Sequence, residues 1–469
     1  MASTATLHRF TGTLNYCTIA PPLAETGFPA AQVSDTAVRR LRTRSLDMTG
    51  LKRRLRIADV TPDRRTILKL SAMGMGGTLV GGSAHRAAAQ DVTTDAASGM
   101  QFAYVASDSR SQAVDGILAA GPIGISVYAI GPATGAFTSI QTLPSDNAFF
   151  FAFDPDQSHL YVVNAIDDYE GGANGSLEAY ARDPKTGLLT LLNRVDSGGA
   201  VSAQPAVDPS GRWVVVANYS GANVTVFPIE DDGSLGEMSS EVKREGTGPN
   251  TERQDQSRPH AAVFDPGGAY VAVADLGTDS VVTYAFDPAT GTLTEASSVH
   301  ARPGAGPRHI AFNADGTIMY VVNELDATIN VYVYDSVSGA IDELLQTVST
   351  VPDPFDGLKS TAEIAVHPSG KFLYNTNRGF ADTVTPEGDA IVGWAIDPDD
   401  GTLTLIGHTT DEIGQSWSFA FDTGGANLFA ANYTDNTITQ FAVDPETGAL
   451  TFTGNRTEVP FPFAIAISE

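Results

Sequence analysis

The stretch "GPRHIAFNADGTIMYVVNELD", Gly306–Asp326, reads as an apolar strand, a polar turn and a second apolar strand. Three of its ionisable groups, Arg308, His309 and Glu324, gather at its open end. The pattern recurs in "FFFAFDPDQSHLYVVN", "QPAVDPSGRWVVVAN", "RPHAAVFDPGGAYVAVAD", "TAEIAVHPSGKFLYNTN" and "SWSFAFDTGGANLFAAN". Asp-Pro and Gly supply the tight reversals. The second strands end on Asn164, Asn218, Asp275, Asn323, Asn377 and Asn432, at intervals of 54, 57, 48, 54 and 55 residues.

Each hairpin is followed by a third strand, such as "NVTVFPI" or "TINVYVY", then a turn such as "DPATGTL" and a fourth strand. Four short antiparallel strands per repeat, with no sustained helical period, predict an all-β propeller. The count gives seven four-stranded blades. The first unit, with "FAYVAS", "GISVYAI" and "FTSIQTL", lacks an opening strand, and the chain ends in the lone strand "PFPFAIAIS". The C-terminal strand is therefore expected to complete blade one and close the ring, leaving no free edge. The expected domain is residues 99–469. A chain this long exceeds one ordinary core, and a propeller divides it among blade interfaces.

Charge separates the N-terminal region from this body. Residues 1–89 hold 13 Lys and Arg against 5 Asp and Glu, whereas residues 90–469 hold 15 against 50. Within the leader, "PDRRTILKL" resembles a twin-arginine export signal, with Arg64 and Arg65 before Ile67 and Leu68. A weakly apolar Gly-rich segment and "HRAAAQD" follow, so cleavage after Ala89 and export through the twin-arginine machinery are expected, with no membrane span in the mature form. The body contains no Cys and four Lys. Such an acidic surface repels nucleic acid and anionic membranes, and it suits a high-salt milieu in which screening tames self-repulsion.

Hairpin geometry places the start of the first strand and the end of the second on one face, near the axis. His260 and Arg308 each precede their turn residues, Asp265 and Asn313, by five positions, and Glu324 and Arg378 directly follow the closing Asn323 and Asn377. These four should emerge together from blades four, five and six. Arg provides a planar fork for carboxylate or phosphate, Glu between two Arg should stay ionised, and His should titrate near neutrality and move protons. A salt-bridge network that fixes neighbouring blades is the competing reading. Glu363 and Trp417 begin strands in blades six and seven and are candidates to line the same opening and touch substrate. His309 should point to the opposite side of its strand, and His159, His300, His367 and His408 should be solvated. No metal or cofactor is expected: H-E-x-x-H is absent and the six His of the body are scattered. The insertions "AIDDYEGGANGS" and "GFADTVTPEGDA" should overhang the same face.

At these residues the sequence resembles the seven-bladed propeller lactonases, which include propeller-type 6-phosphogluconolactonases and carboxy-cis,cis-muconate cyclases. The resemblance is densest in "EGTGPNTERQDQSRPHAAVFDP", "GAGPRHIAFNADGTIMYVVNELD" and "STAEIAVHPSGKFLYNTNRG". It implies a catalytic set of His260, Arg308, Glu324 and Arg378, the two arginines also holding substrate. One departure is Ala262, where the family often has a second His. The function implied is hydrolysis of a sugar lactone or other anionic lactone, with His260 or Glu324 as general base and no covalent nucleophile, since no G-x-S-x-G elbow occurs. A muconate-type cycloisomerase and a non-catalytic exported binding propeller are the alternatives.

Overall fold

A computed structural model describes residues 100–114, 123–355, 357–379 and 386–468. The expected leader and the central part of the blade-six insertion lie outside these residues. The described residues form seven four-stranded antiparallel sheets. The innermost strand of each packs against the innermost strands of its neighbours, so seven short strands encircle one axis. Ring closure is as expected. The C-terminal strand, Pro462–Ser468, pairs antiparallel with Gln101–Ser107, and Tyr104 stands opposite Ala466. Among the described residues no helix is long and apolar enough to cross a membrane.

The repeated polar residues hold the ends of the blades. At the lower end, the Asn313 amide oxygen accepts from the backbone N–H groups of Thr317 and Ile318, both at 2.9 Å. Asp208 does the same for Arg212 and Trp213. A short side-chain acceptor closes these turns, and Asp154, Asp265 and Asp422 act in the same way, which is why Asp or Asn recurs there. At the upper end, the strand-closing Asn residues are fully buried. Asn218, Asn377 and Asn432 donate to the carbonyls of Ser197, Thr350 and Glu412, each on the connection arriving from the preceding blade. These side chains satisfy backbone groups that would otherwise be buried unpaired.

Neighbouring blades are also buttoned together. The hydroxyls of Tyr104, Tyr161, Tyr320 and Tyr374 donate to the carbonyls of Gly187, Gly233, Gly401 and Gly448, each on the outer turn of the next blade. Gly187 has φ +72°, and a Cβ there would lie 2.3 Å from the Phe102 ring. Only glycine allows both the turn and the approach. The hydrophobic core is distributed between blades. Tyr320, Val322 and Ile329 of blade five meet Leu373 and Trp394 of blade six in one such seam.

Candidate active site

The innermost strands share a local defect that builds the site. In each, pairing with the second strand slips at the strand's entrance. In blade five, Pro307 faces Asn323 and His309 faces Val322, leaving Arg308 as the extra residue. The same slip isolates His260 in blade four, Trp417 in blade seven, Phe149 in blade two and Phe463 in blade one. In blade six it spans Ala362 and Glu363. A bulge re-aims side chains and breaks the two-residue alternation of a strand. Here it turns one residue per blade toward a common axial site.

One half of that site is charged. Glu324 is 2% exposed and binds three guanidiniums. Its Oε2 accepts from Arg308 Nε and pairs with Arg378 Nη2, both at 3.0 Å, and its Oε1 accepts from Arg253 Nη2 at 2.5 Å. Arg308 Nη1 also donates to the Ala362 carbonyl at 2.8 Å, and Arg378 Nη2 to Ser360 Oγ at 2.8 Å. Beside them, His309 Nε2 accepts from Arg308 Nη1 at 3.1 Å, which leaves Nδ1 as the donor to Glu363 Oε1 at 2.9 Å. The His260 ring packs edge-on against His309, with centroids 5.2 Å apart, and against Tyr219 at 5.4 Å. Its Nδ1 is buried with no hydrogen-bond partner among the described residues.

The other half is aromatic. Phe149, Trp417 and Phe463 meet edge to face at 4.9–6.1 Å, and Tyr433 stacks on Phe463. Trp417 joins the two halves, because the Arg378 guanidinium lies 4.3 Å from its ring centroid. Such a cation–π contact draws the guanidinium to the face of the indole.

The electrostatics distribute roles. Burial alone would raise the Glu324 carboxyl, but the Arg253, Arg378 and Arg308 charges override it and hold the group far below the usual carboxylate range. Glu324 is therefore ionised, as the sequence suggests, and both its oxygens are committed to guanidiniums. Burial, followed by the Arg308 cation, drives the His260 imidazole well below its ordinary value. This corrects the expectation that His260 titrates near neutrality: it is a neutral imidazole there. Burial also lowers His309, against the opposing pull of Glu363.

The structure brings together His260, Arg308, Glu324, Arg378, Glu363 and Trp417. His309 is a correction. The bulge at Arg308 places consecutive side chains in the same site, so His309 does not turn away. His367 is also buried, with Nε2 2.7 Å from the Gly425 carbonyl. His159 pairs with Asp154 and His408 contacts the Thr350 carbonyl, so these three are held rather than merely solvated. Arg253, Tyr219, Phe149 and Phe463 were not singled out from sequence. Among the described residues no group of three or more His, Cys, Asp or Glu is arranged to hold a metal ion.

Known proteins share both frame and sequence. The family model described as "Lactonase, 7-bladed beta-propeller" matches residues 109–467. A 6-phosphogluconolactonase of Bacillus subtilis is 33% identical over 319 residues, covering 68% of this chain and 86% of that protein. One from Formosa agariphila is 29% identical over 319 residues, covering 67% and 87%. The periplasmic gluconolactonase of Pseudomonas aeruginosa is 28% identical with a TM-score of 0.70, over 79% of this chain and 99% of that one. The chain belongs to the seven-bladed β-propeller lactonase family.

Proposed function

We propose that the protein is a lactonase that hydrolyses a sugar lactone, in the manner its 6-phosphogluconolactonase-like relatives suggest. The observation that carries this reading is the neutral His260 imidazole, with its uncommitted Nδ1, beside guanidiniums ordered by one ionised carboxylate. In this scheme His260 removes a proton from water as the water oxygen attacks the ring carbonyl carbon. Arg308 and Arg378 stabilise the oxyanion of the tetrahedral intermediate. Collapse breaks the ring C–O bond. The imidazolium then returns its proton to the departing alkoxide, and a hydroxy acid is released. Glu324 orients the arginines, and Glu363 acts through His309 on Arg308. The Phe149, Trp417 and Phe463 edges offer an apolar wall to the C–H face of a sugar ring.

The same reading extends to location. The cationic leader supports export, and the Pseudomonas relative is described as periplasmic. An exported lactonase would meet sugar lactones that are not phosphorylated. The test is acid release in a pH-stat with 6-phosphogluconolactone and simple aldonolactones, using the mature chain, His260→Ala and Glu324→Gln. Loss of at least about a hundredfold in the histidine variant is expected. Full activity in both variants would sink the assignment.

A further inference from the structure

The chain has three tryptophans, and two of them find an acceptor for the indole N–H. Trp213 Nε1 donates to the Pro288 carbonyl at 3.1 Å, and Trp394 Nε1 donates to Asn375 Oδ1 at 2.8 Å. Trp417 differs. It is 8% exposed, and its Nε1 is buried with no hydrogen-bond partner among the described residues. A buried indole N–H ordinarily has a partner, and leaving one unpaired is costly. The exception is the tryptophan of the axial site, at the bulge position that His260 and Arg308 occupy in their own blades.

The ring cannot swing toward an acceptor elsewhere. It packs against Phe149, Phe463 and Tyr433 with centroids 6.1, 5.3 and 6.0 Å away, and the Arg378 guanidinium covers its face. Its backbone is pinned on both sides. The two Asp389 carboxylate oxygens accept from the Gln415 N–H at 2.9 and 3.0 Å, and Ser416 Oγ spans the bulge to the Ser418 carbonyl at 3.2 Å. The donor is thus held in place before any ligand arrives. An indole N–H lies in the plane of its ring, whereas Arg378 stands over the face. The two therefore present their donors in different directions and serve different oxygens of one ligand. The arginines take the oxygen that becomes the oxyanion. The N–H is neutral and can only donate, which suits a hydroxyl oxygen.

We propose that Trp417 is a specificity-determining residue of the axial site, its Nε1–H donating to one hydroxyl oxygen of the substrate. The aromatic half of the site then reads a polar group as well as the C–H face of the ring, and it disfavours an analogue without that hydroxyl. The assignment rests on the lactonase reading for its ligand but is tested by binding alone. Gluconate and its monodeoxy analogues, one for each hydroxyl, are titrated calorimetrically into the full chain and into Trp417→Phe. A third protein carries benzothiophene in place of the Trp417 indole, which keeps the ring's shape, lacks the N–H and serves should the Phe variant not fold. In the unsubstituted protein, loss of one particular hydroxyl should weaken binding about three- to tenfold. In the variants that same loss should change affinity by less than about twofold, while the other analogues keep their effects. A role in packing alone would weaken gluconate and every analogue by one common factor, and that result overturns the proposal. Equal affinity of the unsubstituted protein for gluconate and all the analogues overturns it too. If no lactone is hydrolysed while the hydroxyl and the N–H remain coupled, the catalytic reading fails and the Trp417 assignment stands. If lactones are hydrolysed and the two effects simply add, the reverse holds.

Discussion

Replacing Glu324 by Gln tests the electrostatic frame on which the site depends. The carboxylate is almost completely buried and serves Arg253, Arg308 and Arg378 at once. The amide keeps one acceptor oxygen, but its nitrogen must face a guanidinium, donor against donor, and the negative charge is gone. Removing one partner of a buried ion pair costs about 3–5 kcal/mol. With a urea slope of about 3 kcal/mol/M or more for a domain of this size, the unfolding midpoint should fall by up to about 1.7 M near pH 7. The pH dependence gives a second signature. The folded-state pKa of Glu324 is depressed, so its contribution is fully present above the unfolded value of about 4.3 and is lost as pH falls toward the folded one. The gap between the two proteins should therefore be widest at neutral pH and narrow below about pH 4. Because the pair is buried, the gap should persist in high salt. Urea melts followed by tryptophan fluorescence at several pH values measure all three effects. Equal midpoints at neutral pH, or a gap of the same size in acid, would refute the reasoning.

Four further outcomes are expected. The kcat/KM profile should stay flat as pH falls past about 6.5, since burial keeps His260 neutral below its ordinary titration range; an inflection at 6.5 would contradict that depression of the imidazole. Gluconate binding should change the emission of Trp417, one of three tryptophans, and Trp417→Phe should abolish that signal; an identical response in the variant would place the ligand elsewhere. Raising KCl should raise the urea midpoint by screening the acidic surface of residues 90–469, and a fall would remove the case for a high-salt protein. Ending the chain before Pro462 deletes the inner strand of blade one and exposes its edge, so that variant should be recovered as aggregate; a soluble protein with an unchanged melt would overturn the closure argument.

The ring was legible because a propeller repeats its instructions. Turn-closing Asp and Asn, strand-closing Asn and outer-turn Gly recur in most blades and cap the same ends of the strands in each. The four charged site residues were legible for the same reason, as occupants of equivalent positions in adjacent repeats. His309 was misplaced because alternation along a strand is a rule for regular pairing, and the bulge at Arg308 breaks it. Phe149 and Phe463 occupy the same register as His260 and Arg308, so aligning the inner strands at their second residue would have found them. Tyr219 and Tyr433 stand in the position of Glu324 and Arg378, but carry no charge to mark them as site residues. Arg253 had no repeat to mark it, because it sits on a connection with no counterpart in the other blades.

The competing reading of the charged residues, a salt-bridge network between blades, turns out not to compete. The network exists: Arg308 of blade five bonds the Ala362 carbonyl of blade six, and Glu324 of blade five holds Arg378 of blade six. A purely structural seam would satisfy its polar atoms, as the Asn218 and Asn377 contacts do. The cluster built on this seam does not: among the described residues a buried His260 nitrogen is left without a partner. That departure is costly in a folded core, and it is what a site that must accept a proton from a bound water requires. The ion pairs that fasten blade five to blade six therefore also hold Arg308 and Arg378 ready beside His260, so weakening the seam should loosen catalysis and fold together.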